Sequence, residues 1–435
     1  MSEKYKFTYK TIDDVRLASG RLGVDIPLST DTSVLARPVN LTSRVTLKNS
    51  LAIHPMEGFD GNTDGSPSEL TKRRYDRFAR GGAGLIWFEA TSVCPEGRSS
   101  SHQLWIHENN VDEYARLVDD IHKKSDGAIV IAQLTHSGRF SKPENKPAPI
   151  IAYHNPLFNK NFDIPADYPV VTDDYLDSLR EKYVNAAILA KKAGFDGVDI
   201  KSCHRYLMSE LLSAYQRDGR YGGSYENRTR LLRETVRDVI STCGGDFIVA
   251  TRMSISDCVP YPYGFCTRAD GSVDLTEAKQ LAAELRDLGM KLFNVSMGTP
   301  YYNPHVNRPY DSGGYEPPEN PLCGVARLIN CAFELRAAVP GMIYVGTGYS
   351  YLRSIAPYAA AGALSEDKID IVGFGRMAFA YPDFACDMIN GQFNSRRSCI
   401  SCGKCVELMR AIAPAGCPVR DSLYLPIYKE HCMRG

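Results

Sequence analysis

Six consecutive residues near the middle of the chain combine groups that carry acid–base chemistry. The stretch GVDIKSCHRYL (197–207) ends a short apolar run with Lys201 and soon adds His204 and Tyr206. An amine, an imidazole and a phenol can each hold or move a proton next to a substrate. Their place directly after a strand-like run predicts a catalytic cluster at the end of a buried strand.

A second concentration of reactive side chains is a cysteine run near the end of the sequence. Cys399, Cys402, Cys405 and Cys417 are spaced C-x2-C-x2-C-x11-C, and Pro418 follows the last one. This spacing lets three thiolates converge at a tight turn while a fourth arrives from a helix-like segment, which suits a [4Fe–4S] cluster. Zinc is the alternative, although zinc sites more often use paired C-x2-C units that are farther apart.

These residues need a framework of strands and helices to position them. From about residue 50 the sequence alternates amphipathic stretches with eight apolar runs: SLAIHPM (50–56), GLIWFEA (84–90), AIVIAQL (128–134), GVDIK (197–201), FIVATRM (247–253), KLFNVSM (291–297), MIYVGTG (342–348) and KIDIVGF (368–374). Nearly continuous Val, Ile, Leu and Phe is typical of parallel strands that are buried on both faces. Eight strand–helix units predict an α/β fold, a (β/α)8 TIM barrel, and periodicity alone leaves a doubly wound sheet as the rival.

Apolar residues at three- and four-residue spacing predict helices over Ser68–Arg80, Asp173–Ala193, Tyr225–Ile240 and Thr276–Leu288. Two long connections, 137–169 and 297–321, predict loops that cover a site. We divide the chain into an N-terminal extension (1–45), a barrel (46–391) and a cysteine-rich tail packed on the barrel (392–435).

Bulk properties limit the partners of the chain. Its 435 residues carry 51 basic and 51 acidic side chains, which argues against nucleic acid or an anionic membrane as the main partner. No apolar run approaches the roughly 18 residues of a membrane span, and the first 40 residues lack a signal-peptide core. Thirteen mostly scattered cysteines favour a reducing compartment, so we expect a cytoplasmic protein. The sequence leaves homo-oligomerisation open.

Seven motifs in order resemble the old yellow enzyme family of NADH:flavin oxidoreductases, more narrowly its iron–sulfur branch with 2,4-dienoyl-CoA reductase and trimethylamine dehydrogenase. The motifs are LKNSLAIHPMEG, GGAGLIWFEA, AQLTHSGR, GFDGVDIKSCHRYL, DGRYGGSYENRTR, VATRMSISD and VGFGRMAFAYPD, within residues 40–420. The resemblance implies a (β/α)8 barrel with FMN at its mouth, NAD(P)H as a transient donor and a small-molecule substrate. Those two relatives continue into nucleotide-binding domains, whereas no G-x-G-x-x-G opens a strand–helix unit here.

The resemblance also implies which residues bind the flavin. Arg252 matches the arginine near flavin N1 and O2, where reduced flavin is negatively charged, and Gln133 matches the residue that bonds the pyrimidine edge. The other matched positions are ring contacts at Pro55, Met56, Glu57 and Ala90, and a phosphate pocket at Gly348, Gly375 and Arg376. Glu57 departs from the family pattern, because a carboxylate repels reduced flavin. We expect it to be protonated, paired with a cation or turned away.

For the 201–206 cluster, the resemblance implies that His204 polarises a substrate carbonyl and that Tyr206 donates a proton to carbon. Lys201 stands where relatives place a histidine. An ammonium there favours an anionic substrate or one that develops enolate charge. The alternative is a lysine that bends to solvent.

The expected activity is FMN-dependent reduction of an activated C=C bond of the enone or enoate type. The alternatives are oxidative dehydrogenation of an amine or methyl group, or an electron-relay subunit of a larger complex. Electrons would enter from NAD(P)H directly or from a separate electron-transfer protein. A metal-dependent barrel hydrolase is a further rival, but His54, His136 and His204 lack matching carboxylates at the strand ends.

Overall fold

Parallel strands close into a barrel in the computed structural model, which describes residues 5–311 and 313–433. The strands are β1 (Val39–Asn40), β2 (Thr46–Leu47), β3 (Leu51–Ile53), β4 (Leu85–Ser92), β5 (Ile129–Thr135), β6 (Gly197–Ile200), β7 (Ile248–Ser254), β8 (Leu292–Ser296), β9 (Ile343–Gly346) and β10 (Ile371–Phe374). Strands β3 to β10 follow one another around the barrel, and β10 closes it on β3 with Val372 opposite Leu51. The predicted (β/α)8 barrel is confirmed, and closure excludes the doubly wound sheet.

Helices alternate with these strands. They are α1 (Ile12–Arg21), α2 (Glu69–Arg80), α3 (Val111–Ser125), α4 (Pro156–Asn161), α5 (Asp173–Lys192), α6 (Leu207–Leu211), α7 (Tyr225–Cys243), α8 (Thr276–Asp287), α9 (Pro304–Asn307), α10 (Pro321–Ala338), α11 (Ala356–Ser365), α12 (Arg376–Ala380), α13 (Phe384–Ile389), α14 (Lys404–Arg410) and α15 (Tyr424–Cys432). Short 3-10 helices span Ser33–Ala36, Pro95–Gly97, Gly138–Phe140, Tyr349–Ile355 and Ser395–Arg397. The four predicted helices α2, α5, α7 and α8 are present. Ser68 caps α2 by accepting hydrogen bonds from the amides of Leu70 and Thr71.

The apolar core has two layers. One fills the inside of the barrel below the strand ends and includes Leu85, Trp87 and Ile131. The β1–β2 hairpin covers this layer with Val39 and Leu47. The other layer lies between the strands and the surrounding helices.

The cysteine-rich tail packs on the barrel. Leu408 and Tyr428 are buried in the outer core layer. Asp421 pairs with Arg73 and with Arg77 of α2. The hairpin crosses residue 45, where the extension was expected to end. The division into three segments remains a prediction.

Within residues 5–311 and 313–433, no helix combines the length and the apolar character that crossing a membrane requires.

Candidate active site

A cavity of about 490 Å³ lies at the carboxyl ends of the barrel strands. Its lining includes all twelve residues assigned from the sequence to catalysis or cofactor binding: Pro55, Met56, Glu57, Ala90, Gln133, Lys201, His204, Tyr206, Arg252, Gly348, Gly375 and Arg376. The cavity volume is within the usual range for cofactor and ligand sites. Arg252 and Tyr206 therefore share one end of the barrel.

The Lys201 ammonium lies over the ring of Tyr206, with Nζ 3.9 Å from the ring centroid. Lys201 is only 4% exposed, so the alternative of a lysine directed to solvent is wrong. Burial lowers the pKa of Lys201 and raises the pKa of Tyr206. A buried phenol with a raised pKa keeps its proton at neutral pH, as a proton donor must.

His204 stands on a strained turn. It and Arg205 both have positive φ, at 65° and 64°, which non-glycine residues rarely adopt outside functional sites. The buried ion pair between Arg205 and Asp257 holds the turn in place. Burial, followed by the charges of Arg252 and Lys201, lowers the pKa of His204 well below its usual value. The imidazole is therefore neutral. Its Nε2 is buried without a hydrogen-bond partner among the described residues.

Glu57 lies beside this cluster. It accepts a hydrogen bond from the Ser99 hydroxyl. Burial raises the pKa of Glu57, while the nearby Lys201 ammonium and hydrogen bonds from Ser99 and Tyr206 oppose that rise. Glu57 lines the cavity, so it is not turned away from it. The raised pKa favours the protonated form, and Lys201 is the cation nearby.

Gln133 and Arg252, which line the cavity, are both held by a buried carboxylate that the sequence analysis missed. Asp199 accepts hydrogen bonds from Gln133 Nε2 (2.6 Å), Trp87 Nε1 (2.8 Å) and the Arg252 backbone amide (2.7 Å). Because the Gln133 amide nitrogen is committed to Asp199, its oxygen is left as an acceptor. Strand alternation was the available signal, since Asp199 and Lys201 are two residues apart and share a face.

The residues predicted to form a phosphate pocket, Gly348, Gly375 and Arg376, also line this cavity. Gly348 has φ 101°, a conformation that glycine adopts without strain. Arg376 is 9% exposed and donates from Nη2 to the backbone carbonyl of Pro309 at 3.1 Å. This bond joins the end of β10 to the loop after β8.

The loop after β8 and the tail add residues that were not assigned from the sequence. Tyr301 donates its hydroxyl hydrogen to the Tyr206 oxygen at 3.5 Å and stacks on Phe140. The same loop contributes Arg308, and the tail contributes Met409 and Arg410 to the lining. The length of the loop was a signal for a lid, but nothing in the spacing singled out its arginine.

The four tail cysteines line one small cavity of about 20 Å³ together with Arg376, which also lines the main cavity. Burial raises the pKa of Cys405 to about 12 and that of Cys417 to about 11. Across the described residues, no group of three or more His, Cys, Asp or Glu side chains has the arrangement of a metal site. The iron–sulfur cluster therefore remains a prediction.

The histidines at the other strand ends, His54 and His136, hydrogen-bond to neighbouring protein groups. His54 bonds to the Gly346 carbonyl and to the Asn294 side chain, and His136 bonds to the Tyr175 hydroxyl. They do not converge with His204 on one point, which argues against the metal-dependent hydrolase.

Comparison with known proteins gives the family. The model for the NADH:flavin oxidoreductase / NADH oxidase family matches residues 34–297. The chain belongs to this family. Membership confirms the resemblance seen in the sequence.

Two similar proteins with oxidoreductase names align with different shares of the chain. An NADH oxidase of Thermoanaerobacter brockii is 28% identical over 368 residues, which is 82% of this chain and 51% of the relative. An NADPH dehydrogenase of Bacillus pumilus is 34% identical over 258 residues, 58% of this chain and 70% of the relative. The chain thus spans about half the length of the first of these oxidoreductases.

Two solved structures share the fold of this chain. A 2-naphthoyl-CoA reductase aligns with a TM-score of 0.74 at 19% identity, covering 89% of this chain and 57% of the other. The old yellow enzyme homologue from Zymomonas mobilis gives 0.62 at 24% identity and covers 82% of this chain and 92% of the other.

The cavity fits the FMN that the family implies. Arg252 Nε and His204 Nε2 are buried polar atoms without partners among residues 5–311 and 313–433. A buried polar atom of this kind is costly unless a ligand satisfies it. The free oxygen of Gln133 and the Arg376 guanidinium supply the acceptor and the cation that a pyrimidine edge and a phosphate need.

Proposed function

We propose that this chain is an FMN-dependent oxidoreductase that reduces an activated C=C bond, of the enone or enoate type, with NAD(P)H as the electron donor. The observation that carries the proposal is that Arg252 and Tyr206 line the same cavity at one end of the barrel. Bound FMN supplies the hydride that adds to the β-carbon.

The proposal assigns residues of the cavity to each part of FMN. The Gln133 oxygen accepts from the pyrimidine edge, and Asp199 fixes the amide in that orientation. Arg252 provides positive charge beside the same edge, which favours the reduced flavin. Arg376, with the backbone at Gly348 and Gly375, holds the phosphate. Pro55, Met56 and Ala90 contact the ring.

The remaining residues act on the acceptor. Lys201 and His204 donate hydrogen bonds to the carbonyl oxygen, where negative charge grows as hydride adds to the β-carbon. Tyr206 transfers its hydroxyl proton to the α-carbon, which completes the single bond. Hydride and proton together saturate the C=C bond, and NAD(P)H is oxidised to NAD(P)⁺.

The charge of the cavity disfavours the amine alternative. Among the described residues, six cationic side chains and one carboxyl group, that of Glu57, line it. An amine that is protonated at neutral pH would be repelled by this lining.

We further propose that the 392–435 tail binds a [4Fe–4S] cluster through Cys399, Cys402, Cys405 and Cys417. Their spacing and their shared cavity support this ligand set. Iron and sulfide analysis with low-temperature electron paramagnetic resonance tests it, and stoichiometric zinc would contradict it. None of the thirteen cysteines, all of which lie within the described residues, forms a disulfide, which supports a reducing compartment such as the cytoplasm. If NADH and NADPH both fail to reduce the flavin, a separate electron-transfer protein is the donor.

The function is tested by separating the two half-reactions. Tyr206→Phe should slow reduction of 2-cyclohexenone by about 10²- to 10⁴-fold, because the proton donor is lost. Reduction of the flavin by NAD(P)H does not use this proton and should change far less. Stopped-flow absorbance follows both steps. An equal loss in both, or flavin reduction without turnover of any enone or enoate by the wild type, contradicts the proposal.

The departure at Lys201 has its own test. If the ammonium favours anionic acceptors, Lys201→His should reduce kcat/KM for enoates more than for neutral enals. The ratio of the two constants is the measurement, and an unchanged ratio would remove Lys201 from substrate selection.

A further inference from the structure

The cavity carries more positive charge than the proposed cofactor uses. Its cationic lining residues are Lys142, Lys201, Arg252, Arg308, Arg376 and Arg410. FMN occupies Arg252 and Arg376 in the assignment above, and Lys201 faces the acceptor carbonyl. Lys142, Arg308 and Arg410 are left without a role, and the last two of these carry guanidinium groups.

These two arginines come from separate parts of the chain. Arg308 directly follows α9 in the loop after β8, and Arg410 ends α14 in the tail. The hydrogen bond from Arg376 to the Pro309 carbonyl fixes the loop next to Arg308. Burial raises the pKa of Tyr301, and the charges of both Arg308 and Arg410 oppose that rise. Both guanidinium groups line the same cavity as Tyr301 and Tyr206.

Neither guanidinium is neutralised by the protein. Within residues 5–311 and 313–433, no carboxylate lies within 4.0 Å of Arg308 or Arg410 in an ion pair. Burial, followed by repulsion from Arg376 and Arg410, lowers the pKa of Arg308 to about 10. Arg308 thus keeps its charge at neutral pH in surroundings that disfavour it, and a bound anion would offset that cost.

We propose that Arg308 and Arg410 form an anion subsite that binds a carboxylate of the acceptor, apart from the C=C bond that is reduced. The proposal rests on the proposed function, because it assigns the substrate class of the same cavity. A guanidinium binds a carboxylate through two parallel hydrogen bonds. Phe140, Phe162 and Met409 line the cavity as well. The substrate class is an amphiphilic acid: an apolar, enone-bearing body with a separate anionic group.

A matched pair of acceptors tests the subsite in the holoenzyme: 4-(3-oxobut-1-enyl)benzoate and its neutral methyl ester. The wild type should prefer the carboxylate. Arg308→Met and Arg410→Met should each lower the ratio of the two kcat/KM values by roughly 10- to 100-fold, as expected for a charge-assisted hydrogen bond. Arg396→Met makes the same change at an exposed tail residue outside the cavity lining and should leave the ratio unchanged. A ratio near one in the wild type overturns the proposal.

Binding without turnover separates this proposal from the proposed function. Calorimetry with 4-acetylbenzoate and 4-acetylbenzamide, which carry no reducible C=C bond, should show tighter binding of the acid, and the difference should disappear in Arg308→Met. If that preference is present but no enone is reduced, the proposed function fails and the subsite stands. If enones are reduced without a preference for the acid, only the subsite fails.

Instead of an acceptor carboxylate, the two arginines could bind a phosphate group, either that of FMN or that of the nicotinamide dinucleotide. The full-length chain is therefore titrated with FMN and with riboflavin, and its flavin is reduced with NADH and with NADPH. If Arg308→Met weakens FMN but not riboflavin, the arginine holds the cofactor phosphate and the proposal is overturned. A rise in the KM for either dinucleotide without a change in the acceptor ratio overturns it as well.

Discussion

At the scale of single residues, the site depends on buried polar groups whose protonation and orientation are set by their neighbours. Asp199 is the clearest case, because three donors converge on its two oxygens. Burial raises the pKa of this carboxyl to about 6, while the bond from Gln133 lowers it most among the opposing contacts. Above that pH the carboxylate accepts from all three donors.

Asp199→Asn should damage both stability and flavin binding. An asparagine has only one acceptor oxygen and presents an NH₂ group to the remaining donor, so at least one of the three hydrogen bonds is lost. We expect a loss of about 1–3 kcal/mol in the free energy of unfolding, with weaker FMN binding because the Gln133 amide is no longer fixed. Urea unfolding and flavin titration measure the two effects. Unchanged FMN affinity would show that Asp199 does not orient Gln133.

Glu57 supplies a second residue-scale prediction. Burial raises its pKa, so the carboxyl stays protonated above its usual value of 4.5 and loses its proton as the pH rises further. If Glu57 returns a proton to Tyr206, acceptor reduction should slow as the pH rises through that pKa, and Glu57→Gln should remove this dependence. The rate of flavin reoxidation by 2-cyclohexenone between pH 5 and 9 is the measurement. The same pH dependence in the variant would exclude this role.

At the scale of elements, specific polar contacts attach the tail to the barrel beside its buried apolar residues. Asp421 accepts from Arg73 and Arg77 of α2, and the Ala415 amide donates to the Gly58 carbonyl in the loop after β3. That loop also contains Glu57. Docking of the tail is thus coupled to the position of the site residues at the end of β3.

Asp421→Asn should loosen the tail. The Asp421 side chain is only 5% exposed, whereas Arg73 and Arg77 are about a third exposed, so the arginines remain partly hydrated when the charge is removed. We expect faster proteolytic cleavage between residues 392 and 435 and a loss of about 1–3 kcal/mol in stability. Limited proteolysis followed by mass spectrometry measures the first effect. Asp13→Asn, at an exposed ion pair of α1, is the matched control.

The elements were predictable to different degrees. The eight strands follow from their apolar runs, because a strand buried on both faces has no other composition available. The residues at the strand ends followed from the motifs, and the cavity unites all twelve. Arg308 and Arg410 could not be predicted as site residues from the sequence, because they come together only where the loop after β8 meets the tail. The four cysteines suggested their ligand set by spacing, but spacing does not fix how their side chains converge.

At the scale of the whole molecule, folding buries titratable groups of opposite pH response. Burial lowers the pKa of His136 to about 4 and that of His54 well below its usual value. Burial raises the pKa of Glu89 to about 7 and that of Asp199 to about 6. On acidification the histidines favour the unfolded chain, which takes up protons first, while the carboxyls favour the folded chain. The pH dependence of the wild-type stability is therefore less informative than the difference in stability between the wild type and a variant that lacks one of these groups.

The variant His136→Gln isolates the contribution of one buried histidine to the pH dependence of stability. The folded-state pKa of His136 is about 4 against 6.5 in the unfolded chain, so its contribution to stability is full above pH 6.5 and is lost as the pH falls toward 4. Between pH 6.5 and 5 the free energy of unfolding of the wild type should fall by about 2 kcal/mol because of this residue. The variant should not show this fall, even if it is less stable at pH 7.5. Urea unfolding at pH 7.5, 6.5 and 5 measures both curves. His431→Gln, at an exposed position of α15, should follow the wild type. Parallel curves for His136→Gln and the wild type would show that folding does not lower the pKa of His136.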